Sequence, residues 1–502
     1  MICVTIAQES RRLALADILN AVMLGADMIE VRLDKFERDA KLGELVAAKR
    51  KPLLFSCKRP QDGGSWQGTE AERITLLRTA VIAKADYVEI ELDAADELRP
   101  FRGYKRVVSY TNLTETPKDI ADIYARMEAK SPDIIKLTCK ARTPEEAWPL
   151  ILILNKATIP TVVVGLGRAG VMLSLLGRKI GAPWATAAME KGMEAFPGQP
   201  TIQDLVDVFR YRDVGKKTRF VGVTGLGERE YAAAGLLNVA FAHLGMHHRA
   251  LPLQVGSLKM FRKIADLVRL QGVVLDADHV TGLHEIAHYD PSARAPVLAA
   301  NTLLPSADGW SAANAFGDAA ANAITATLRD RGDEPLQRRS VLITGGGPQA
   351  RMLAGPLKAR GASLIWAGKN KEASQALSQT FGGRHIAWEA IYATGHDILV
   401  LAQDDSSEAA GDEMPLRPGY LRPGMAVLDL AGGMQLTPFQ REAKTRGCVA
   451  VSPHRLLVEE VLEHVRKLGG GDVPVELLDE KLATWIPLEE EDFAGKENWI
   501  PG

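Results

Sequence analysis

Lys136 lies in the run DIIKLT, with apolar residues on both sides. A lysine carried into an apolar interior beside other cations is expected to have a lowered pKa, and its neutral amine can attack a ketone to form a Schiff base. Two more runs carry charge in the same way. Glu30 and Arg32 in MIEVRLD are two residues apart and share one face of a strand, and Glu89 and Glu91 in YVEIELD repeat the spacing. Charges turned into a protein interior are costly unless paired or functional, so these residues have two readings: a Schiff-base site, or a buried ion network that ties strands together. All ten histidines fall at His243 or later. Any chemistry before that point must move protons without imidazole.

The second half carries a different signal. ITGGGPQA places Gly345, Gly347 and Ala350 in the spacing G-x-G-x-x-A between an apolar run and a helical stretch. Glycines there let backbone amides approach a pyrophosphate at a helix N-terminus; a tight strand–helix turn without a ligand is the alternative. After the next apolar run, AGKNK offers Lys369 and Lys371 where a carboxylate would bind the ribose of NAD. Cations at that place suit a 2′-phosphate, hence NADP, and otherwise mark a solvated helix start.

Elements to position these residues can be read from the pattern. Residues 1–200 alternate eight short apolar runs (ICVTIA, MIEVRL, PLLFSC, YVEIEL, RVVSY, DIIKLT, TVVVG and PWATAA) with amphipathic segments such as ERITLLRTAVIAKA. Eight strand–helix units in that length predict a (β/α)8 TIM barrel. An open doubly wound sheet would carry a Gly-rich turn after its first strand, and none is there. A second α/β unit begins at TRFVGVTGLG, and RRSVLITGGGPQAR opens a Rossmann pattern with later strands at HDILVLA, AVLDLA and CVAVS. The expected division is a barrel over 1–215, a substrate domain over 216–332, a Rossmann dinucleotide-binding domain over 333–470 and a tail over 471–502. Helices at 453–468 and 315–329 are expected to pack the Rossmann part against the domain before it. The acidic, Pro/Gly-rich tail is expected to be surface coil.

With 502 residues, 46% hydrophobic, the chain is too long for one core. A formal net charge of −2 argues against nucleic acid or an anionic membrane surface as a partner. The four cysteines, Cys3, Cys57, Cys139 and Cys448, have neither metal-ligand nor disulfide spacing. With no signal-peptide pattern after Met1 and no membrane-length apolar run, a reduced cytoplasmic setting is expected.

Residues 1–200 resemble type I 3-dehydroquinate dehydratase, a Schiff-base lyase of the shikimate pathway, through IEVRLD, SCKRPQDGG, YVEIEL, VVSYTNLTETP, DIIKLT and EAFPGQ. The resemblance implies that Lys136 forms the imine, that Glu30 and Arg32 bind substrate hydroxyls, that Glu91 orients a catalytic histidine, and that Gln199 contacts substrate. The departures are as specific. Thr111 stands where the family has its acid–base histidine, Ser174 where it has a carboxylate-binding arginine, and Ala195 where it has a serine. Arg168 and Arg178 lie nearby but out of register. A threonine hydroxyl does not titrate near neutral pH and cannot replace imidazole directly.

The second half resembles shikimate dehydrogenase, and the order of the halves resembles the fused dehydratase–dehydrogenase enzymes. GLLNVAFAHLG, PVLAANTLL, ITGGGPQAR, DILVLA and LDLAGGMQLTPFQREAKTRG carry this resemblance. It implies NADP as cofactor and Asn301, with Thr302, as substrate-binding residues. Val280 and Ala313 stand where the family has its lysine and aspartate, and Tyr231 and Ala233 where it has paired serines. His279, beside Val280, could serve as an acid in another reaction or be a surface loop residue. The expected partner is a small hydroxylated cyclic carboxylate, with a homodimer as the one further association considered. Three functions stand open: a bifunctional shikimate-pathway enzyme, a Schiff-base enzyme with another substrate that uses Glu30 or Glu91 as base, and a relative that only binds ligands or scaffolds.

Overall fold

A computed structural model of the chain describes residues 1–37, 40–167, 170–225, 227–280, 287–289, 299–329, 336–403 and 415–488. It divides into two compact units, Met1–Gly222 with His247–Leu270, and Val223–Met246 with Gln271–Gly502.

The first unit is built on strands β1 (Ile2–Ile6), β2 (Met28–Arg32), β3 (Leu53–Ser56), β4 (Tyr87–Glu91), β5 (Lys105–Asn112), β6 (Ile134–Lys140), β7 (Thr161–Leu166) and β8 (Ala185–Ala187). They run parallel in the order β7-β6-β5-β4-β3-β2-β1-β8, and the end strands β7 and β8 approach each other, which nearly closes the ring. These strands are rich in Val and Ile, which suits a sheet buried on both faces. Cys3, Met28, Leu54, Tyr87, Val107, Ile134, Val162 and Trp184 pack together as the barrel floor. Two residues further along each strand the same face returns. Glu30, Ser56, Glu89, Ser109 and Lys136 therefore form a polar level directly above an apolar one, and all five are buried.

Helices α1 (Arg11–Met23), α2 (Leu42–Ala47), α3 (Glu70–Ile82), α4 (Ile120–Glu128), α5 (Pro144–Lys156) and α6 (Gly170–Ile180) follow six of the strands. Their starts are legible in the sequence. Ser10 caps α1, Thr69 and Glu72 form a capping box on α3, and Thr143 caps α5 with Pro144 in its first turn. Eight strands thus come with six α-helices among the described residues. A 3-10 turn at Leu92–Glu97 follows β4, and a single π-turn at Asp204–Val208 comes after β8. β9 (Arg219–Thr224) and α7 (Glu228–His243) lead into the second unit, and the chain returns to the first for β10 (His248–Leu253) and α8 (Leu258–Val268).

In the second unit β11 (Val273–Val274), β12 (Ala287–Tyr289), β13 (Thr302–Ser306) and β14 (Gly309–Ala313) lie in the order β11-β13-β14-β12. Helix α9 (Phe316–Arg329) then leads to a parallel sheet of β15 (Ser340–Thr344), β16 (Ser363–Ala367), β17 (Arg384–His385), β18 (Ile398–Leu401), β19 (Ala426–Asp429) and β20 (Val449–Ala450). Its order, β17-β16-β15-β18-β19-β20, is that of a doubly wound dinucleotide fold. Helices α10 (Pro348–Ala359), α11 (Lys371–Phe381) and α12 (Pro438–Thr445) connect its strands, and α13 (Pro453–Lys467) packs on α9 and α7. The tail corrects the expectation of surface coil. Residues Val475–Trp485 form α14, which packs against α13 and α7 and buries Leu478 and Leu482 completely. Two leucines four apart on one helical face outweigh the Gly- and Pro-rich approach to it. Residues 489–502 of that tail lie outside the described residues.

Candidate functional site

Lys136 points into the barrel. Its Nζ lies 2.8 Å from Glu89 Oε2 and 3.5 Å from each oxygen of Glu30. Glu89 gives its other oxygen to Lys58, whose Nζ is 2.6 Å from Oε1. One carboxylate thus bridges two buried lysines. Glu30 is held in turn by Ser56 Oγ at 2.7 Å and Thr5 Oγ1 at 3.2 Å. Lys58 and Asp62 come from the segment KRPQDGG, which turns sharply back over the strand end. A Cβ on Gly64 would stand 1.9 Å from the Lys58 carbonyl oxygen, so only glycine fits there.

The electrostatics overturn one expectation. Burial pulls the Lys136 amine down, but the Glu30 and Glu89 carboxylates outweigh it and hold the ammonium above its usual range. The predicted lowering needed neighbouring cations; the groups in contact with Lys136 are anions. Burial likewise pushes Glu89 up, and Lys136 and Lys58 more than reverse it, leaving this carboxylate well below its usual range.

The other front-domain residues divide. Arg32 closes on Asp34 through two bonds, of 2.9 and 2.8 Å, and reaches the Gly63 carbonyl at 3.1 Å. It still borders the lumen over Lys136, with Thr111, Thr138, Leu166, Ala195 and Phe196. Glu91 is bonded elsewhere than Lys136. Its Oε2 accepts from Arg73 Nη1 at 2.6 Å, an arginine sent inward from α3. Burial raises the Glu91 carboxyl, although Arg73 and Lys58 act against it. Gln199 accepts from the Ala195 amide at 2.8 Å and donates to Thr5 at 3.4 Å, which ties the PGQ turn to the Thr5–Glu30 contact. Ser174 stays on its own helix, donating to the Gly170 carbonyl at 3.2 Å. Arg178 lies over the Tyr211 ring at 5.6 Å. Arg168 lies outside the described residues.

Sequence reasoning missed three contributors. Glu89, not Glu91, touches Lys136; strand pairing puts Glu91, through Ser109, in the row of Lys136, and the tilt of the strands brings Glu89 to the lysine instead. Lys58 was visible as a charge in SCKRPQDGG, but its inward turn depends on the Gly64 bend. Arg73 sits in an ordinary amphipathic helix and left no signal.

In the second unit a cavity is bordered by Thr224, Glu230, Asp276, Val280, Asn301, Glu460 and His464. Asn301 is already engaged. Its amide donates to Glu460 at 2.7 Å, and its oxygen accepts from the Ala315 and Phe316 amides at 2.9 and 3.1 Å, which anchors the start of α9. Thr302 Oγ1 meets His464 Nδ1 at 2.9 Å. Burial works against the Glu460 carboxylate, yet Arg229 and His464 bring it down to about 2. His279 is held through Nδ1 by Asp276 at 2.6 Å, and that bond raises its pKa. Val280 is buried in the cavity wall and brings no polar atom. Ala313 ends β14.

The glycine turn follows β15. Gly345 has φ +78°, and a Cβ there would lie 2.4 Å from the Ala402 carbonyl. Gly347 precedes the first turn of α10 and donates its amide to Gln403 at 3.0 Å, while Ala350 is fully buried under the helix. Lys369 is exposed beyond the end of β16, its Nζ 5.8 Å from the centre of the Trp388 ring. Among the described residues no cluster of His, Cys, Asp or Glu is arranged to hold a metal ion, and no helix is long and apolar enough to cross a membrane.

Comparison with known proteins falls on the same division. The bifunctional 3-dehydroquinate dehydratase/shikimate dehydrogenase, chloroplastic, of Arabidopsis thaliana is 27% identical over 502 residues, covering 95% of this chain and 83% of the relative. The 3-dehydroquinate dehydratase of Methanopyrus kandleri is 31% identical over 192 residues, 37% of this chain and 87% of the relative. A solved dehydroquinate dehydratase and shikimate dehydrogenase from S. pombe aligns over 96% of this chain and 98% of its own, at 18% identity and a TM-score of 0.42. The sequence profile of type I 3-dehydroquinase matches residues 2–216. The chain belongs to the type I 3-dehydroquinase family through its barrel, within the bifunctional dehydratase/dehydrogenase group.

Proposed function

We propose that the chain is a bifunctional shikimate-pathway enzyme whose barrel dehydrates 3-dehydroquinate to 3-dehydroshikimate through a Schiff base on Lys136. The carrying observation is the buried Lys136 amine at the base of a lumen, flanked by Glu30 and Glu89. Once Lys136 passes its proton to one of these carboxylates, its lone pair can attack the substrate ketone; loss of water then gives the imine. Imine nitrogen withdraws electrons from the neighbouring carbon and so acidifies its C–H bond. Arg32 and Lys58, at the lumen wall, would bind substrate hydroxyls. Borohydride reduction with 3-dehydroquinate should fix the substrate to Lys136. A trapped mass on any other residue, or none, overturns this assignment.

The second half is assigned the NADP-dependent reduction of 3-dehydroshikimate to shikimate. A bound nicotinamide dinucleotide supplies the hydride. Gly345, held in the left-handed region where the Ala402 carbonyl leaves no space for a Cβ, sets the turn into α10, whose start would receive a pyrophosphate, and exposed Lys369 suits a 2′-phosphate. The domain limits that go with this reading are 1–215, 216–332 and 333–470. A second reading, a catalytically degenerate or repurposed ligand-binding relative, is favoured by one set of observations: Val280 and Ala313 bring no polar group, and the Asn301 side chain is spent on Glu460 and α9. Calorimetric titration with NADP and NAD, followed by assays of shikimate oxidation, separates the two.

A further inference from the structure

Strands β4, β5 and β6 bring three inward-facing residues into one row of strand pairing. Glu91 pairs in register with Ser109, and Ser109 with Lys136. Ser109 is completely buried, yet its hydroxyl has no hydrogen-bond partner. One level higher on the same strand, the buried Thr111 hydroxyl also has none. Both residues border a cavity that Glu91 and Asp62 also line, and Thr111 faces the lumen over Lys136 as well. Two stacked orphan hydroxyls are unusual in a protein interior, where polar groups are satisfied by protein or by ordered water. Arg73, the bonded partner of Glu91, is committed to Glu70, Glu91 and the Cys57 carbonyl.

We infer that Ser109 and Thr111 hold a water molecule against Glu91, and that this water carries the proton which a histidine-free barrel must otherwise leave unmoved. The inference rests on the Schiff-base reading of Lys136. With the substrate bound as a protonated imine, the neighbouring C–H bond breaks; its proton passes to the water, and a water proton passes to the Glu91 carboxylate. The electron pair moves into the new C=C bond and the imine nitrogen becomes an enamine nitrogen. That nitrogen then returns its pair, the adjacent C–O bond breaks, and the departing hydroxyl takes the proton back from Glu91 through the same water. The substrate loses one H and one OH, and Glu91 ends as it began. Ser109 and Thr111 are positioning residues in this scheme, since they touch the water rather than the substrate.

The test uses the full chain and 3-dehydroquinate deuterated at the carbon beside its ketone. Two quantities are followed: borohydride trapping on Lys136, and loss of that deuterium to solvent by NMR. The wild type should trap and exchange. S109A and T111V should still trap but exchange about 10- to 100-fold more slowly, at or below the low end of what a positioned acid–base group contributes, since each removes only one of the two hydroxyls that hold the water. T111S, which keeps the hydroxyl, should recover exchange relative to T111V, a result that a packing role would not give. Exchange at the wild-type rate in both S109A and T111V, with trapping intact, overturns the water relay and leaves Lys136 standing. No trapping in the wild type overturns the Lys136 reading, and this inference with it. A crystal structure with no water on Ser109 Oγ also overturns the relay.

Discussion

Replacing Glu89 with glutamine should move the titration of Lys136 by several pH units. Glu89 gives one oxygen to Lys136 at 2.8 Å and the other to Lys58 at 2.6 Å. Glutamine keeps the shape and removes the charge. At about 4 Å between charge centres and an effective dielectric of about 20, the lost attraction is about 4 kcal/mol per lysine. At 1.36 kcal/mol per unit that is about three pKa units on Lys136. Burial already pulls this amine down, and Glu30, at 3.5 Å, is the neighbouring carboxylate left to oppose it. The neutral amine should therefore appear at much lower pH. Reductive trapping with 3-dehydroquinate across pH, read as mass added to the Lys136 peptide, follows the neutral amine directly. The trapping midpoint should fall by about three units in E89Q. Superimposable profiles would refute the claim that Glu89 sets the charge of Lys136. The same substitution should cost stability, about 3–5 kcal/mol, because it leaves buried cations without their partner. The pH dependence has a definite sign. Lys136 is raised on folding, so its contribution is complete below its unfolded value of about 10.4 and is lost as pH climbs through the folded one. Glu89 is lowered, so its contribution is present above about 4.3 and is lost as pH falls through the folded value. Wild-type stability from this network should hold across that interval, and E89Q should lose the acid-side dependence.

Three further outcomes can be measured. Thr111→His should raise dehydration of 3-dehydroquinate by about 10²–10⁴-fold, the usual worth of a positioned acid–base group, followed by absorbance of the product; an unchanged rate would place the defect elsewhere in the lumen. Gly345→Ala should cost at least about 1–3 kcal/mol in urea unfolding, since it forces a side chain at φ +78° against the Ala402 carbonyl, and NADP binding by calorimetry should weaken with it. Leu478→Ala should lower stability by about 2–5 kcal/mol if α14 is docked as found, whereas a loose tail would tolerate it within a few tenths.

Much of the barrel was legible because its strands announce themselves twice, as apolar runs and as regularly spaced breaks between them. The Rossmann sheet was legible from one glycine turn and the run of strands after it. The site was only partly so. Period-2 alternation says that Glu89 and Glu91 share a face, and Glu30 and Arg32 likewise, but not which level of the barrel each reaches. That depends on stagger between neighbouring strands, and it puts Glu89 on Lys136 while Glu91 goes to Arg73. The sign of the lysine shift failed for the same reason: spacing along one strand cannot identify the neighbours that arrive from two others. α14 failed differently. A Gly- and Pro-rich approach to a helix looks like coil until the face that receives Leu478 and Leu482 is known.

The network around Lys136 bears on whether this barrel is an enzyme or a relic. A purely structural ion network is expected to satisfy its own groups, since each unpaired buried polar atom costs free energy. Part of this one does so: Glu30, Glu89, Lys58, Lys136, Ser56 and Thr5 are joined in one bonded chain. Ser109, on the same level, and Thr111 above it are not, and are left without partners beside a cavity. A scaffold could carry apolar residues in place of such hydroxyls at little cost. Orphan hydroxyls over a buried lysine fit a site that receives a polar guest, which favours a proton carried past Thr111 by water over a purely structural network.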